Sequence, residues 1–143
     1  MDFDITDFSI ELVSRAADAI IYADHAGTIR FWNTGAERTF GFAANEAIGQ
    51  SLDLIIPRNL RERHWQGFDK TMRTGESRYG AGDTLSVPAI RKDGARISVE
   101  FTIMPFRDDG GRMVGIAAIL RDVTARFEQM RALQRELTAL RPK

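Results

Sequence analysis

The sequence of 143 residues contains no cysteine. Disulfide bonds, thiolate metal sites, thiol nucleophiles and photochemistry that adds a thiol to a flavin are therefore excluded. Long apolar runs are also missing, since none approaches the roughly 18 residues of a membrane-spanning helix. The N-terminal MDFDITDFSIEL carries acids where a signal peptide carries bases. We therefore expect a cytoplasmic protein with no membrane as a partner.

An excess of one charge is lacking too, because 20 basic residues balance 20 acidic ones. A formally neutral chain has no overall field that would attract nucleic acid, so we expect no nucleic acid as a partner. Apolar residues make up 43% of the chain and charged ones 28%, which is typical of a folded globular protein. A chain of 143 residues predicts a single domain.

The strand signals fall into two groups. Ile20–Ala23 and Thr28–Trp32 predict a hairpin joined by the turn residues 24–27. Residues 84–90, 97–106 and 113–121 predict three more strands, and the tight-turn sequences between them favour an antiparallel meander. In front of all five, Asp7 to Ala19 has the apolar spacing of an amphipathic helix.

Short helices are predicted between the two strand groups. Thr34-Gly35-Ala36-Glu37 matches a capping box and begins a helix that ends at Gly41, and residues 45–48 predict another helical turn. RNLRERHWQGFDKTMRTGE, residues 58–76, predicts one longer helix that ends near Gly75. Ile97, Val99, Phe101 and Ile103 alternate with polar residues, so one face of the sheet should be buried under these helices around a pocket.

The C-terminal segment, residues 123–143, has no strand character. Apolar residues fall on a and d positions of a heptad pattern that Arg126 interrupts: Val123, Met130, Leu133, Leu137 and Leu140. We expect a coiled-coil-like helix that supports a homodimer, and docking of the same stripe on the open sheet face is the alternative. The chain then divides into an N-terminal helix (1–19), a core (20–122) and this signalling helix (123–143).

Several motifs resemble the PAS domain family. YADHAGTIRFWNTGAERTFGFAANEAIGQSLDLIIP, residues 22–57, is similar to the first half of a PAS domain. IRKDGARISVEFTI, residues 90–103, resembles its later hairpin, and RDVT, residues 121–124, resembles the motif that precedes a signalling helix. The resemblance implies an α+β PAS fold, in which a five-stranded antiparallel sheet is covered on one face by short helices and flanked by terminal helices. It also implies a role in sensing and signal transduction, with no enzyme activity.

Pro57, Arg61 and His64 reproduce the P-x-x-x-R-x-x-H pattern of the haem-binding PAS domains of FixL-type oxygen sensors. The resemblance implies b-type haem with His64 as the iron ligand, and a diatomic gas or redox change as the signal. His64 shares a helix face with Leu60, Phe68 and Thr71, an apolar strip that suits a porphyrin. The further cofactor-binding positions that the resemblance implies are Lys70 and Arg78 at the propionates, with Tyr79, Phe101 and Ile103 on the distal side.

Other interpretations remain open at this point. The distal arginine of those sensors falls on Thr84 or Leu85 here, and His64 could instead pack or pair with Glu62 or Asp69. Trp32 and Asn33 are compatible with a flavin pocket, and a PAS module with another small molecule or an empty pocket is also possible. Neither His25 nor His64 has sequence neighbours that suggest catalysis.

Overall fold

The computed structural model describes residues 2–76 and 85–141, without the Leu85 side chain. Its sheet has five antiparallel strands, as predicted, with the order β2-β1-β5-β4-β3. The strands are β1 (Ala19–Asp24), β2 (Ile29–Trp32), β3 (Leu85–Ile90), β4 (Arg96–Arg107) and β5 (Met113–Asp122). Both predicted hairpins of the later group are present, and β1 lies beside β5 in the middle of the sheet with Ala19 opposite Leu120.

The helices are α1 (Ile5–Arg15), α2 (Thr34–Phe40), α3 (Ala44–Ala47), α4 (Arg61–Thr74) and α5 (Thr124–Ala139), with 3₁₀ turns at Leu52–Ile55 and Arg58–Leu60. The strands β2 and β3 are the two edges of the sheet, so the chain between them has to cross from one edge to the other. This crossing places the 3₁₀ turns and α4 over one face of the sheet. The core and a cavity lie between these layers.

The N-terminal helix is shorter than its apolar spacing predicts. It ends at Arg15, and Ala19 is the fully buried first residue of β1 instead of the last turn of the helix. The physical reason is the Asn33 side chain, which binds the chain on either side of this break. Its Nδ2 donates to the carbonyl oxygens of Val13 and Asp18 at 2.9 and 3.1 Å, while its Oδ1 accepts from the Ile20 amide at 2.8 Å.

The predicted capping box of α2 is wrong in both of its residues. Asn33 is the N-cap, because its Oδ1 accepts a hydrogen bond from the Ala36 amide at 2.9 Å. The Glu37 carboxylate reaches forward and accepts from the Ala44 amide at 2.8 Å, so it joins α2 to α3 instead of closing the box. The single helix predicted over 58–76 is a 3₁₀ turn followed by α4, and its predicted end is confirmed, since Gly75 follows the last residue, Thr74, in the left-handed conformation.

The helix α5 leaves the domain at the end of β5. Val123 is buried and its amide donates to the Ser98 carbonyl, while the Thr124 hydroxyl accepts from the Ser98 amide, each at 2.9 Å. Beyond this joint the apolar stripe is uncovered, with Met130, Leu133, Leu137 and Leu140 between 54% and 80% exposed. The stripe is therefore not docked on the sheet.

No helix within residues 2–76 and 85–141 is long and apolar enough to cross a membrane.

Candidate ligand-binding cavity

A cavity of about 420 Å³ lies between the sheet and the helical layer. This volume falls within the range of roughly 300–1,000 Å³ for cofactor and small-molecule sites. The sheet lines it mainly with inward-facing apolar side chains: Ile21, Ala23, Val87, Ala89, Val99, Phe101, Ile103, Ile116, Ala118 and Leu120. The helical layer adds Leu52, Ile55, Ile56, Leu60, Arg63, His64, Gly67, Phe68 and Thr71.

Polar side chains are few around this cavity. Of the lining residues that the structure describes, only Arg63, His64 and Thr71 carry a polar group on the side chain. The Thr71 hydroxyl donates to the Gly67 carbonyl at 3.0 Å, so the helix itself already satisfies it. The guanidinium of Arg63 and the imidazole of His64 are therefore the groups that remain for recognition of a polar ligand.

The His64 imidazole is half-buried against this apolar wall. Its Nδ1 is inaccessible to water and has no hydrogen-bond partner among the described residues. Burial lowers the pKa of His64 below its ordinary value of 6.5, and the carboxylate of Asp53 opposes that shift. A neutral imidazole with an unpaired nitrogen is able to bind a metal ion or to hydrogen-bond a ligand.

The lowered pKa makes the stability of the fold depend on pH. In the unfolded chain His64 keeps its ordinary value of 6.5, so below that pH the unfolded state binds the proton more readily than the folded state. This contribution to the free energy of unfolding is complete above pH 6.5 and is lost as the pH falls through the lower folded-state pKa. We expect His64→Leu to remove this part of the pH dependence of the free energy of unfolding. Urea unfolding above and below pH 6.5 measures it.

His25 provides the control for that experiment, because it lies exposed in the β1–β2 turn. The variant His25→Asn should retain the wild-type pH dependence. A constant difference between wild type and His64→Leu at every pH would contradict the assignment.

The start of α4 is held in place by two residues of the P-x-x-x-R-x-x-H motif. Pro57 is fully buried, and the Arg61 guanidinium donates to the carbonyl oxygens of Ile56 and Asp53 at 3.1 and 3.2 Å. Three points fixed in this way set the direction of the helix. Two residues of the P-x-x-x-R-x-x-H pattern therefore have a structural role, and the third faces the cavity.

Trp65 positions His64, a role that its place in the sequence does not indicate. Its Nε1 donates to Asp53 Oδ1 at 2.8 Å, and its ring meets the His64 ring edge to face with centroids 4.8 Å apart. The indole also covers Gly27 so closely that a Cβ there would lie 2.3 Å from Trp65 Cη2. The one available signal was a glycine in the β1–β2 turn, which by itself indicates only the turn.

The predicted site residues divide into three sets. His64, Phe101 and Ile103 line the cavity, and the predicted strip of His64 with Leu60, Phe68 and Thr71 is confirmed. Lys70 is exposed and is not among the described lining residues, whereas Arg63, which was not predicted, is. Arg78 and Tyr79 lie outside the described residues, as does Thr84.

The two residues considered for a flavin do not face the cavity. Trp32 is 3% exposed and its Nε1 donates to the Phe42 carbonyl at 2.9 Å, while its ring packs against Phe40. Asn33 is engaged by α1, β1 and α2 as described above. Neither residue belongs to the lining set within the described ranges.

Comparison with known proteins finds several similar bacterial proteins. The chain is 35% identical over 125 residues to an uncharacterized protein of Azorhizobium caulinodans. The match covers 87% of this chain and 17% of that protein. It is 30% identical over 117 residues to the sensor protein FixL of Bradyrhizobium diazoefficiens, covering 82% of this chain and 23% of that one. The oxygen sensor protein DosP of Escherichia coli is 29% identical over 101 residues, with 71% and 12% covered. The chain thus spans less than a quarter of the length of each of these relatives.

A solved structure shares the fold over most of its length. The crystal structure of the PAS domain of a protein from Colwellia psychrerythraea superposes with a TM-score of 0.75 at 25% identity, covering 85% of this chain and 99% of that one. The sequence profile of the PAS domain matches residues 17–125, which include all five strands and the cavity. The chain therefore belongs to the PAS domain family.

Proposed function

We propose that this PAS domain is a sensor that binds b-type haem in the cavity through His64 and responds to a diatomic gas or to a redox change. The observation that carries the proposal is the buried His64 Nδ1, which has no partner in the described part of the chain. An unpaired polar atom in an apolar interior is unfavourable by roughly 1–3 kcal/mol unless a ligand engages the group. An imidazole is a common axial ligand of haem iron.

The remaining wall of the cavity suits a macrocycle that is apolar over most of its surface. Phe68 on α4 and Phe101 and Ile103 on β4 line the cavity and would contact the apolar ring. When bound, haem supplies an iron centre that binds gases and changes oxidation state. The residues of this chain supply the imidazole, the exclusion of water and the orientation of the ligand. Among the relatives, FixL is a sensor protein by name and DosP an oxygen sensor, which supports the same class of signal.

The alternative is a PAS module whose cavity takes another small molecule or a flavin, or stays empty. A flavin ring carries carbonyl oxygens and ring nitrogens that need hydrogen-bond partners once they are buried. The described lining offers only Arg63 and His64 with uncommitted side-chain donors or acceptors. This scarcity of polar groups favours the haem proposal over the flavin.

Reconstitution with hemin tests the proposal. We expect the purified chain to give a Soret band with hemin that His64→Ala loses or shifts strongly, because the imidazole ligand is gone. His25→Ala, the exposed histidine, should behave as wild type. Addition of free imidazole to His64→Ala should restore the band. A Soret spectrum that is identical in wild type and His64→Ala would rule out His64 as the ligand.

The signal would reach α5 through β4. Phe101 lies on the cavity side of this strand, and Ser98, three residues earlier, holds the joint at Val123 and Thr124. Glu100 on the same strand forms an ion pair with Arg126 in the first turn of α5. A change in the cavity would therefore bias the position of α5 by a population shift, and the domain acts by binding rather than by turnover.

We also propose that the domain forms a homodimer through its terminal helices. The uncovered stripe of α5 has the heptad spacing of a coiled coil, and α1 likewise exposes Phe8 and Leu12 by 47% and 55%. We expect Leu137→Glu, in the stripe, to yield a monomer in sedimentation experiments. Thr138→Glu, outside the stripe, should leave the dimer intact. An unchanged mass for Leu137→Glu would exclude α5 as the contact.

A further inference from the structure

Gly67 leaves a gap in α4 beside the cavity. The residue lines the cavity and is exposed to solvent, and a Cβ added to it would meet no described atom within 4 Å. Its φ is not in the left-handed region, so the backbone conformation does not require glycine. Glycine inside a helix is less stable than alanine by roughly 1 kcal/mol. The missing side chain is thus unfavourable for the helix and leaves empty space beside a residue that lines the cavity.

Arg63 lies one helical turn before Gly67, on the same side of α4. It also lines the cavity while remaining exposed, so this residue lies where the cavity meets solvent. The ion pairs of the described residues do not include Arg63, and no hydrogen bond of its side chain is found among them. Every other lining residue in the described ranges is uncharged at neutral pH, given the neutral state of His64.

We propose that the cavity opens at Gly67 and that Arg63 pairs with a carboxylate that the bound ligand keeps at this opening. The ligand is then an amphipathic acid, with an apolar body among the lining side chains and an anionic end at the surface. A guanidinium binds a carboxylate through two parallel hydrogen bonds and keeps its charge at every physiological pH. Lys70, the position that the family resemblance suggests for such a contact, lies outside the described lining.

This proposal rests on the cavity being the ligand site, as proposed above, but it does not require the ligand to be haem. Haem fits the description because it carries two propionate groups on an apolar ring. A long-chain fatty acid fits the same description without iron. Both ligands offer a carboxylate to Arg63, but only haem offers iron to His64. Comparing the two therefore separates the roles of these residues.

Binding of hemin and of its dimethyl ester tests the role of Arg63. We expect Arg63→Gln to weaken hemin binding roughly tenfold, the loss of one charge-assisted contact, and to leave binding of the ester within about twofold of wild type. Lys70→Gln is the matched control, since it removes an exposed cation from the same helix, and it should leave both ligands unaffected. Added salt should weaken hemin binding in wild type more than in Arg63→Gln.

Access is tested by the rate of hemin association. Gly67→Leu should slow association by about tenfold because its side chain fills the gap, whereas Gly67→Ala should bind at nearly the wild-type rate and raise the melting temperature. An association rate for Gly67→Leu equal to that of wild type would remove the opening from the proposal.

The remaining outcomes separate this proposal from haem binding. Equal losses for hemin and its ester in Arg63→Gln, or a loss in Lys70→Gln instead, would overturn the role of Arg63 and leave haem binding standing. Palmitate and methyl palmitate are followed through the fluorescence of Trp65, whose ring contacts His64. Palmitate binding that depends on Arg63, without any hemin binding, would support this proposal and reject haem. Binding of neither probe would reject both.

Discussion

Replacement of Asn33 by alanine is expected to lower the free energy of unfolding by about 3–5 kcal/mol. The side chain is 3% exposed, accepts hydrogen bonds from the amides of Ile20 and Ala36, and donates to the carbonyl oxygens of Val13, Ala16 and Asp18. Each net contribution is roughly 1 kcal/mol, and the partners left behind are partly buried. One residue thus holds the end of α1, the start of β1 and the cap of α2, and urea unfolding measures the loss.

Two further variants sharpen this expectation. Asn33→Asp keeps an oxygen that accepts from the two amides. Its second oxygen replaces the Nδ2 donor and would face three carbonyl oxygens, which repel it. We expect it to be no more stable than Asn33→Ala. Asn45→Ala, an exposed asparagine on α3, should change stability by less than about 0.5 kcal/mol. If Asn33→Ala were as mild as Asn45→Ala, the network would not have the structural role assigned to it.

The second large effect is expected for Gly27→Ala, with a loss of about 2–5 kcal/mol. Gly27 has a φ of +79°, which an L-residue adopts at a cost of roughly 1–2 kcal/mol. The new Cβ would also lie 2.3 Å from two atoms of the Trp65 ring, so the indole must move. Because that ring binds Asp53 and contacts His64, we expect both a lower unfolding midpoint and a changed tryptophan fluorescence.

Gly94 provides the matched control for this substitution. It occupies the β3–β4 turn with a φ of +84°, and a Cβ there would meet none of the described atoms within 4 Å. Gly94→Ala should therefore show the backbone penalty alone, about 1–2 kcal/mol. In a Trp65→Leu background the penalty for Gly27→Ala should fall to that value. If Gly27→Ala lowered stability equally with and without Trp65, a clash with the Trp65 ring would not be the cause of the extra loss.

Local chemistry explains why so much of the fold followed from the sequence. A turn such as Lys92-Asp93-Gly94 and the alternation of Ile97, Val99 and Phe101 are specified within a few residues, so they are readable without tertiary contacts. The strip of His64 and Phe68 was readable for the same reason, because helical spacing fixes which residues share a face.

The errors occurred where a side chain binds across the chain. The helical spacing of residues 7–19 continues past Arg15, but Asn33 binds the backbone there from 15 or more positions away. The capping box at Thr34 and Glu37 satisfied the sequence rule, yet Asn33, one residue before Thr34, is the N-cap and accepts from the Ala36 amide. Which of two adjacent polar residues caps a helix is decided by geometry, which a sequence pattern does not contain.

The sequence by itself determined the order of the elements, the antiparallel hairpins, the PAS-like motifs and the helix face that carries His64. Each depends on interactions between residues close together in the chain. Only the tertiary structure decided that β1 pairs with β5, that His64 Nδ1 loses both water and partner, and that Arg63 instead of Lys70 lines the cavity. These properties depend on which surfaces exclude water from each other, and that is settled only when distant segments pack together.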